Sequence, residues 1–282
     1  MKLIRFGEVG KEKPGVIIGD KRYDTSALGE DYGEFFFETD GLARLSEFIS
    51  NKDLPEIGDG VRLGSPLARP SKIVCIGLNY SDHAKETNAI PPSEPVIFLK
   101  ATTAITGPFD EIIIPKNSKK TDWEVELAVV ISKRASYVNE ADAMDFVAGY
   151  VLHNDVSERE FQMERGGTWD KGKGCDTFAP LGPFFVTSDE ITDPHNLNLW
   201  LKVNGRTMQN GSTANLIFNI PFLISYTSQF MTLLAGDIIS TGTPAGVGLG
   251  MKPPVYLKEG DVIQLGIDGL GEATQIIKEY RG

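Results

Sequence analysis

Cysteine is scarce in this sequence: only Cys75 and Cys175 occur among 282 residues, far apart and in no metal-ligand or redox spacing. This scarcity excludes a disulfide-stapled scaffold and a cysteine-ligated zinc site, so we expect two reduced thiols that pack as small side chains. Long apolar runs are lacking as well. Met1 to Phe6 do not begin a signal peptide, and no run of about 18 apolar residues follows. We therefore expect a cytoplasmic protein without a membrane span.

Positive charge is also in short supply. Lysine and arginine number 28 against 39 aspartates and glutamates, which gives a formal net charge of −11. Such a chain repels phosphate backbones and anionic lipid surfaces, and no basic stripe reverses this locally. Nucleic acid and membrane are excluded as expected partners. A small anionic substrate stays possible, because a metal and a few basic residues can invert the field inside one cleft.

The composition is otherwise that of a globular protein, with 41% hydrophobic and 24% charged residues. Residues 1–68 alternate short strand-like pieces with polar turns, and a helix is predicted from Gly41 to Ile49. The stretch from Leu63 to Pro70 carries two prolines, which is typical of a linker. We predict a small N-terminal α/β domain over residues 1–68 and a larger domain over residues 69–282.

Strand signals dominate the larger domain, and helix signals are few and short. The predicted strands are Lys72 to Leu78, Val96 to Lys100, Ile112 to Ile114, Trp123 to Ser132, Phe146 to Asn154, Phe184 to Thr187, Leu197 to Val203 and Val262 to Ile267. The predicted helices are Asp82 to Asn88, Glu140 to Asp145, Ser157 to Arg165 and Pro221 to Leu233. This pattern favours a β-rich α+β roll over a regular βαβ array.

Two carboxylates interrupt the apolar strand that begins at Trp123. Because residues two apart on a strand share a face, Glu124 and Glu126 point the same way. Burying two like charges side by side is costly without a counter-charge, and a bound cation would supply one. The alternative interpretation is an exposed strand face with solvated glutamates.

A third carboxylate, Asp155, follows the next predicted strand. Ser157 and Glu160 have the spacing of a capping box, so Asp155 is placed where a strand passes into a helix. Three oxygen ligands leave room for water and substrate, which suits Mg²⁺ or Mn²⁺ and also admits Ca²⁺. An ordinary acidic residue at a helix start would look the same.

His83 and Glu86 lie three residues apart on a predicted helix, so both project from one face. A carboxylate beside an imidazole fixes its tautomer and raises its basicity, which suits proton removal from water. A surface histidine with a helix ion-pair partner is the alternative. The other histidines are weaker candidates, because His153 lies in an apolar strand and His195 follows a predicted turn.

Further polar residues gather near the same region of the sequence. Arg159 and Gln162 share one helix face. Lys173 lies in a glycine-rich run, where it could close over an anion or simply be surface charge. The stretch from Gly236 to Gly248 has the glycine density of a loop whose amides approach a ligand, and Thr243 is its best-placed hydroxyl.

Taken in order, these motifs resemble the fumarylacetoacetate hydrolase family. They are Gly77-Leu78-Asn79-Tyr80 with His83-x-x-Glu86, Glu124-x-Glu126, Asn154-Asp155-Val156-Ser157, Lys173, and Gly236-Asp237 through Gly248. The resemblance spans roughly residues 71 to 279. The first 68 residues resemble the variable N-terminal extension of longer bacterial members.

The resemblance implies a β-roll or β-sandwich catalytic domain and a homodimer. It implies that Glu124, Glu126 and Asp155 hold Mg²⁺ and that His83 and Glu86 activate water. It further implies that Lys173 and Gln162 contact the substrate or stabilise an enolate, that Arg159 lies nearby, and that Thr243 binds the substrate carboxylate.

The implied activity is hydrolysis of a carbon–carbon bond in a small 2,4-diketo acid, either an acylpyruvate or a 2,4-diketo-3-deoxy sugar acid. A sugar-derived substrate is the leading interpretation. The same constellation also serves oxaloacetate decarboxylation, diketo-acid isomerisation and, less fittingly, ureidoglycolate cleavage. A non-catalytic module that binds keto acids is an alternative of a different class.

Overall fold

The computed structural model describes residues 1–86 and 90–282, and strands make up most of its regular structure. The strands are β1 Lys2–Phe6, β2 Lys13–Ile18, β3 Lys21–Asp24, β4 Glu56–Ile57, β5 Ile73–Gly77, β6 Val96–Lys100, β7 Ile105–Thr106, β8 Ile112–Ile114, β9 Thr121–Asp122, β10 Val125–Ile131, β11 Val147–Asn154, β12 Ser157–Glu158, β13 Ala179–Thr187, β14 Asn198–Val203, β15 Arg206–Ser212, β16 Ile238–Ser240, β17 Val262–Ile267 and β18 Gly271–Glu279.

The helices are short. They are α1 Glu34–Glu38, α2 Gly41–Ser50, α3 Ser81–Glu86, α4 Arg159–Met163, α5 Asp170–Lys173 and α6 Ile220–Thr227. Short 3₁₀ helices span Ser26–Leu28, Thr102–Ala104, Glu140–Phe146, Ser188–Glu190, Thr213–Asn215 and Gly248–Gly250. None of the helices within the described ranges is long and apolar enough to cross a bilayer. The predicted β-rich α+β class is confirmed.

Two large sheets enclose the core. The first has the spatial order β4-β3-β2-β1-β13-β11-β10-β16-β5-β6, with β7 also pairing with β13, and the second has the order β15-β14-β17-β18-β8. Close approach of β13 to β18 and of β10 to β14 packs the second sheet against the first. Apolar residues from both sheets, such as Leu127 and Leu265, form one continuous buried cluster.

The strand register places one row of side chains on the same face of the first sheet. Glu126 on β10 lies opposite His153 on β11, and Ala128 lies opposite Ser240 on β16. Ser240 in turn lies beside Cys75 on β5. Because directly paired residues point to the same side of a sheet, this face carries the polar groups described in the next subsection.

The N-terminal strands extend the first sheet, because β1 pairs antiparallel with β13. The segment expected to be a linker is packed, with the side chains of Leu63 and Leu67 buried. The division at residues 68 and 69 stays a prediction.

Several local predictions need correction. The capping box of Ser157 and Glu160 is wrong: Ser157 pairs with Asp122 across β12 and β9, which holds its backbone extended. Helix α4 begins only at Arg159, and Glu158 caps it by accepting a hydrogen bond from the amide of Phe161 at 2.7 Å.

Other element boundaries also differ. The predicted helix from Pro221 to Leu233 ends at Thr227, and the predicted helix from Glu140 is a 3₁₀ turn. The predicted helix from Asp82 to Asn88 is α3 as far as Glu86, and residues 87–89 lie outside the described part of the chain. Strands β15 and β18 were not predicted, because their polar residues obscure the alternation.

Candidate active site

Three buried carboxylates meet where the neighbouring strands β10 and β11 of the first sheet begin and end, respectively. Glu124 precedes β10, Glu126 lies within it, and Asp155 follows β11. The amide of Asp155 donates to the carbonyl of Glu124 at 2.8 Å, which holds the two strand ends together. One carboxylate oxygen of each residue lies within 4.8 Å of the others. The structure therefore brings together the three residues that the sequence singled out as metal ligands.

Basic side chains neutralise part of this cluster. Lys173 Nζ donates to Glu124 Oε2 and Asp155 Oδ2, both at 2.7 Å. Lys100 donates to Asp155 and to the carbonyl of Val156. All of these groups are buried, so the ion pairs are shielded from solvent.

Arg159 provides the third cation and joins the cluster to a fourth acid. Its guanidinium donates to Glu124 at 2.6 Å and to Asp122 at 2.9 Å. Sequence reasoning missed Asp122 and Lys100. Asp122 lies two residues before Glu124 and continues the alternation of Glu124 and Glu126, which is a usable signal. Lys100 ends an apolar strand, where a lysine is usually solvated, so the sequence gives no signal for it.

Glu126 differs from the other acids of the cluster. It accepts from Ser240 Oγ at 2.6 Å and from the Gly242 amide at 3.0 Å, and both donors are neutral. Among the described residues no lysine or arginine forms an ion pair with it. Burial, with the nearby charges of Asp155 and Glu124, raises the pKa of Glu126 well above its ordinary value.

Asp155 shows the opposite behaviour. Burial opposes its ionisation, but Lys100 and Lys173 hold the pKa of Asp155 below its usual range. Four acids and three bases thus share the cluster, and one negative charge remains without a cation. A set of three carboxylate oxygens with unbalanced negative charge fits a divalent, oxygen-preferring cation.

The His83–Glu86 pair is formed on α3, with His83 Nδ1 at 3.2 Å from Glu86 Oε2. The amide of Gly246 donates to the other Glu86 oxygen at 2.9 Å. Since the carboxylate only accepts, Nδ1 carries the proton, and Nε2 is the unprotonated nitrogen of the neutral ring. This is the tautomer of a general base.

The glycine-rich stretch approaches protein carboxylates. Amides of Gly242, Gly246 and Gly248 donate to Glu126, Glu86 and Asp122, respectively. The backbone of Gly246 adopts φ +107°, and a Cβ there would lie 1.9 Å from the Met208 carbonyl oxygen. Glycine is required because both the conformation and the close approach exclude a side chain.

A cavity of about 250 Å³ opens beside these groups. Its lining includes every residue predicted for catalysis, substrate binding or metal binding except Glu86 and Asp155, namely His83, Glu124, Glu126, Arg159, Gln162, Lys173 and Thr243. Glu86 and Asp155 are bonded to residues of the lining: Glu86 bonds to His83, and Asp155 bonds to Lys173.

Two predicted substrate contacts differ from expectation in detail. Lys173 is buried at the end of α5, where it binds the carboxylates, so it is not a mobile loop residue. The Thr243 hydroxyl donates to the Val125 carbonyl at 2.9 Å and accepts from Gln209 at 2.7 Å. A bond from this hydroxyl to a substrate would require the hydroxyl to rotate.

Gln162 has a defined amide orientation. Its Oε1 accepts from Arg159 at 3.1 Å, which leaves the amide NH₂ as a donor in a residue that lines the cavity. Of the remaining histidines, His153 is buried against Ser240, and His195 Nε2 accepts from the Ile220 amide away from the cavity lining.

Comparison with known proteins gives concordant matches. The model of the fumarylacetoacetate (FAA) hydrolase C-terminal family matches residues 72–278. A Burkholderia multivorans protein, named provisionally as a hydrolase, is 52% identical over 283 residues and 100% of both chains.

Several solved structures match the whole chain, among them a hydrolase and an isomerase. Maleylpyruvate hydrolase from Sphingobium sp. SYK-6, in complex with manganese(II) and pyruvate, has a TM-score of 0.83 at 32% identity, with 100% of both chains covered. 2-Hydroxyhepta-2,4-diene-1,7-dioate isomerase from Mycobacterium marinum has a TM-score of 0.77 at 33% identity, again over 100% of both chains.

The buried ion pair of Lys100 yields a stability prediction. Replacing Lys100 by Met removes one of the two cations bound to Asp155, and breaking such a pair costs about 3 kcal/mol of unfolding free energy. Urea denaturation of the metal-free protein measures this loss. The matched control is Lys21→Met, which removes a surface pair with Glu56 and should leave the midpoint nearly unchanged. Equal midpoints for both variants would contradict the stabilising role of Lys100.

Proposed function

The chain belongs to the fumarylacetoacetate hydrolase family, and on that premise we propose that it is a magnesium-dependent hydrolase that cleaves a carbon–carbon bond of a small 2,4-diketo acid. The products would be pyruvate and a carboxylic acid. One observation supports this above all: a buried carboxylate triad with unbalanced negative charge lies beside a base-competent His83–Glu86 pair.

The relatives support the coarser part of this proposal. Manganese(II) and pyruvate occupy the maleylpyruvate hydrolase structure, which is consistent with a divalent ion and a pyruvate-forming reaction here. Mg²⁺ is our first choice, and Mn²⁺ and Ca²⁺ suit the same oxygen ligands. From the family resemblance we further propose a homodimer that acts on a small keto acid and has no nucleic-acid or membrane partner. The scarcity of long apolar runs leads us to propose a cytoplasmic location.

Glu124, Glu126 and Asp155 would hold the metal, which when bound supplies Lewis-acid stabilisation of negative charge. His83 Nε2 would remove a proton from the water that attacks the 4-keto carbon, while Glu86 keeps Nδ1 protonated. The bond between carbons 3 and 4 then breaks, and its electron pair leaves with carbon 3. Lys173 would stabilise this charge, and protonation of carbon 3 completes pyruvate.

Isomerisation of a diketo or dienoic acid is the second candidate, because the Mycobacterium marinum isomerase matches the whole chain. A general base suits both reactions, because His83 could activate water for hydrolysis or move a proton between carbon atoms for isomerisation. Pyruvate release separates the two. The His83–Glu86 pair argues against a module that only binds keto acids. Oxaloacetate decarboxylation stays an alternative because it also passes through an enolate, and ureidoglycolate cleavage fits an enolate-stabilising site less well. Among hydrolase substrates, a sugar-derived diketo acid stays our leading interpretation.

The metal requirement is tested at Glu126. Glu126→Gln removes the carboxylate that lacks a cationic partner, and we expect magnesium-dependent turnover to fall at least ~1,000-fold, as several kcal/mol of charge stabilisation are lost. Pyruvate release from a panel of acylpyruvates, sugar-derived diketo acids and oxaloacetate is the measurement. Glu47→Gln, on the exposed face of α2, is the control. Full activity of Glu126→Gln in EDTA would remove the metal from the mechanism.

The base assignment is tested at His83. In His83→Ala we expect kcat to fall by ~10² to ~10⁴, the usual contribution of a positioned base. Binding of oxalate to the magnesium-loaded protein should persist, because the carboxylate triad is unchanged. His195→Ala provides the control, since that ring lies outside the cavity lining. If His83→Ala also lost oxalate binding, His83 would be a substrate ligand or a structural residue.

A further inference from the structure

The charged groups in the described lining of the cavity all belong to the carboxylate cluster, here called the metal end: they are Glu124, Glu126, Arg159 and Lys173. Within the described lining the cations are Arg159 and Lys173. Arg159 is bound to Asp122 and Glu124, and Lys173 is bound to Glu124 and Asp155. Neither cation is left to pair with a second anionic group at the other end of a substrate.

The rest of the lining is largely apolar and includes an aromatic wall. The rings of Phe98 and Trp169 lie 5.3 Å apart at 56°. Gly77 makes room for this wall, because a Cβ there would lie 2.4 Å from the Trp169 ring. Leu78, Val247 and Leu249 complete the apolar surface. A carboxylate buried against such side chains would lose hydration without gaining a partner.

We propose that the substrate carries a single carboxylate, at the metal end, and an uncharged acyl part that packs against the Phe98–Trp169 wall. This inference rests on the proposed function and narrows its substrate class. Both alkyl or aryl acylpyruvates and sugar-derived diketo acids meet the requirement, and diketo acids with an anionic acyl end do not.

Two acylpyruvates of matched shape test the inference. 4-Methylpentanoylpyruvate ends in an isopropyl group, and succinylpyruvate ends in a carboxylate of similar size. We expect kcat/KM to favour the uncharged compound at least ~100-fold, since leaving a buried charge unpaired costs several kcal/mol. Values within ~3-fold of each other, or a preference for succinylpyruvate, would overturn the inference and leave the proposed hydrolase function intact.

A gain-of-function variant sharpens the test. Met163 ends α4 and lines the cavity with an exposed side chain. Met163→Arg should raise kcat/KM for succinylpyruvate at least ~10-fold, whereas Met163→Gln should not, because only arginine pairs with the added carboxylate. Failure of the arginine variant would contradict this placement of the acyl end. If neither compound is hydrolysed, the proposed reaction fails, and calorimetric binding to the manganese-loaded protein decides the charge preference.

A different observation concerns the support of Glu126. On the sheet face described above, His153 Nδ1 lies 2.6 Å from Ser240 Oγ, and Ser240 Oγ lies 2.6 Å from Glu126 Oε2. All three residues are buried. His153 Nε2 is also buried and has no hydrogen-bond partner among the residues that the structure describes.

The protons of this chain can be assigned. Ser240 has one hydroxyl proton, and an ionised Glu126 can only accept it. Ser240 must then accept from His153, so Nδ1 carries the imidazole proton and Nε2 does not. This tautomer agrees with the orphaned Nε2, because a lone pair left without a partner costs less than a buried N–H left without one.

We propose that His153 is a positioning residue that acts through Ser240 to hold Glu126 in the orientation needed to bind the metal. Partners behind metal ligands typically change metal affinity 10- to 100-fold when removed. His153 is not among the residues that line the cavity, and its side chain is linked to the Glu126 carboxylate through Ser240.

Manganese affinity tests this role apart from catalysis. In Ser240→Ala and His153→Leu we expect the dissociation constant for Mn²⁺, followed by electron paramagnetic resonance of the free ion, to rise ~10- to ~100-fold. His153→Asn places an amide N–H near the former Nδ1 and should stay within ~3-fold of the wild type. Unchanged affinity in Ser240→Ala and His153→Leu, or equal weakening in His153→Asn and His153→Leu, would overturn the proposal.

Nitrogen-15 NMR of the magnesium-loaded wild type, in which the bound cation favours ionised Glu126, gives a second measurement that does not depend on any variant folding. We expect a single proton on the His153 ring, because Nδ1 bonds to Ser240 and no partner of Nε2 is found among the described residues. We also expect its proton on Nδ1. A proton on Nε2 would show that the hydrogen-bond chain does not run from His153 to Glu126.

Discussion

The structure depends on a compact group of buried carboxylates that cannot all be ionised without compensation. Asp122, Glu124, Glu126 and Asp155 lie where little water reaches, so their mutual repulsion is weakly screened. Three basic side chains and several backbone amides supply most of the opposing charge. Glu126 is the carboxylate without a positively charged partner, because both of its hydrogen-bond donors are neutral. A divalent cation would supply the missing positive charge, so the same imbalance that destabilises the metal-free cluster supplies a driving force for metal binding.

The acidic and basic side chains of the cluster come from different strands and helices. Strand register puts Glu126 on the sheet face, and the strand ends carry Glu124 and Asp155. The bases come from β6, α4 and α5. Helix α5 approaches α4 closely because residue 172 is glycine: a Cβ there would lie 2.4 Å from the Glu158 carbonyl oxygen. That approach brings Lys173 within hydrogen-bond distance of two acids, although it lies 49 residues from Glu124 in sequence.

The sequence predicted those site contacts whose partners lie a few residues apart, and it missed those whose partners are distant in sequence. Alternation alone predicted that Glu124 and Glu126 share a face, and helical spacing predicted the His83–Glu86 pair, because both relations span only a few residues. Lys100 could not be found in this way, since its partner Asp155 lies 55 residues later. The error at Ser157 has the same origin. Its spacing to Glu160 matches a capping box, but pairing with Asp122 on another strand keeps the Ser157 backbone extended. Tertiary contacts therefore decided the features that local rules missed.

The glycine-rich loop links the two halves of the proposed chemistry. Its amides donate to Glu86, which bonds to the proposed base His83, and also to Glu126 and Asp122, which belong to the carboxylate cluster. The loop therefore connects His83 with the proposed metal ligands through hydrogen bonds. The apolar wall of Phe98 and Trp169 lies outside this bonded frame and contacts the frame mainly through Lys173 above the Phe98 ring. On the proposed function, substitutions in the wall would change which acyl group is accepted while His83 and the carboxylates keep their geometry.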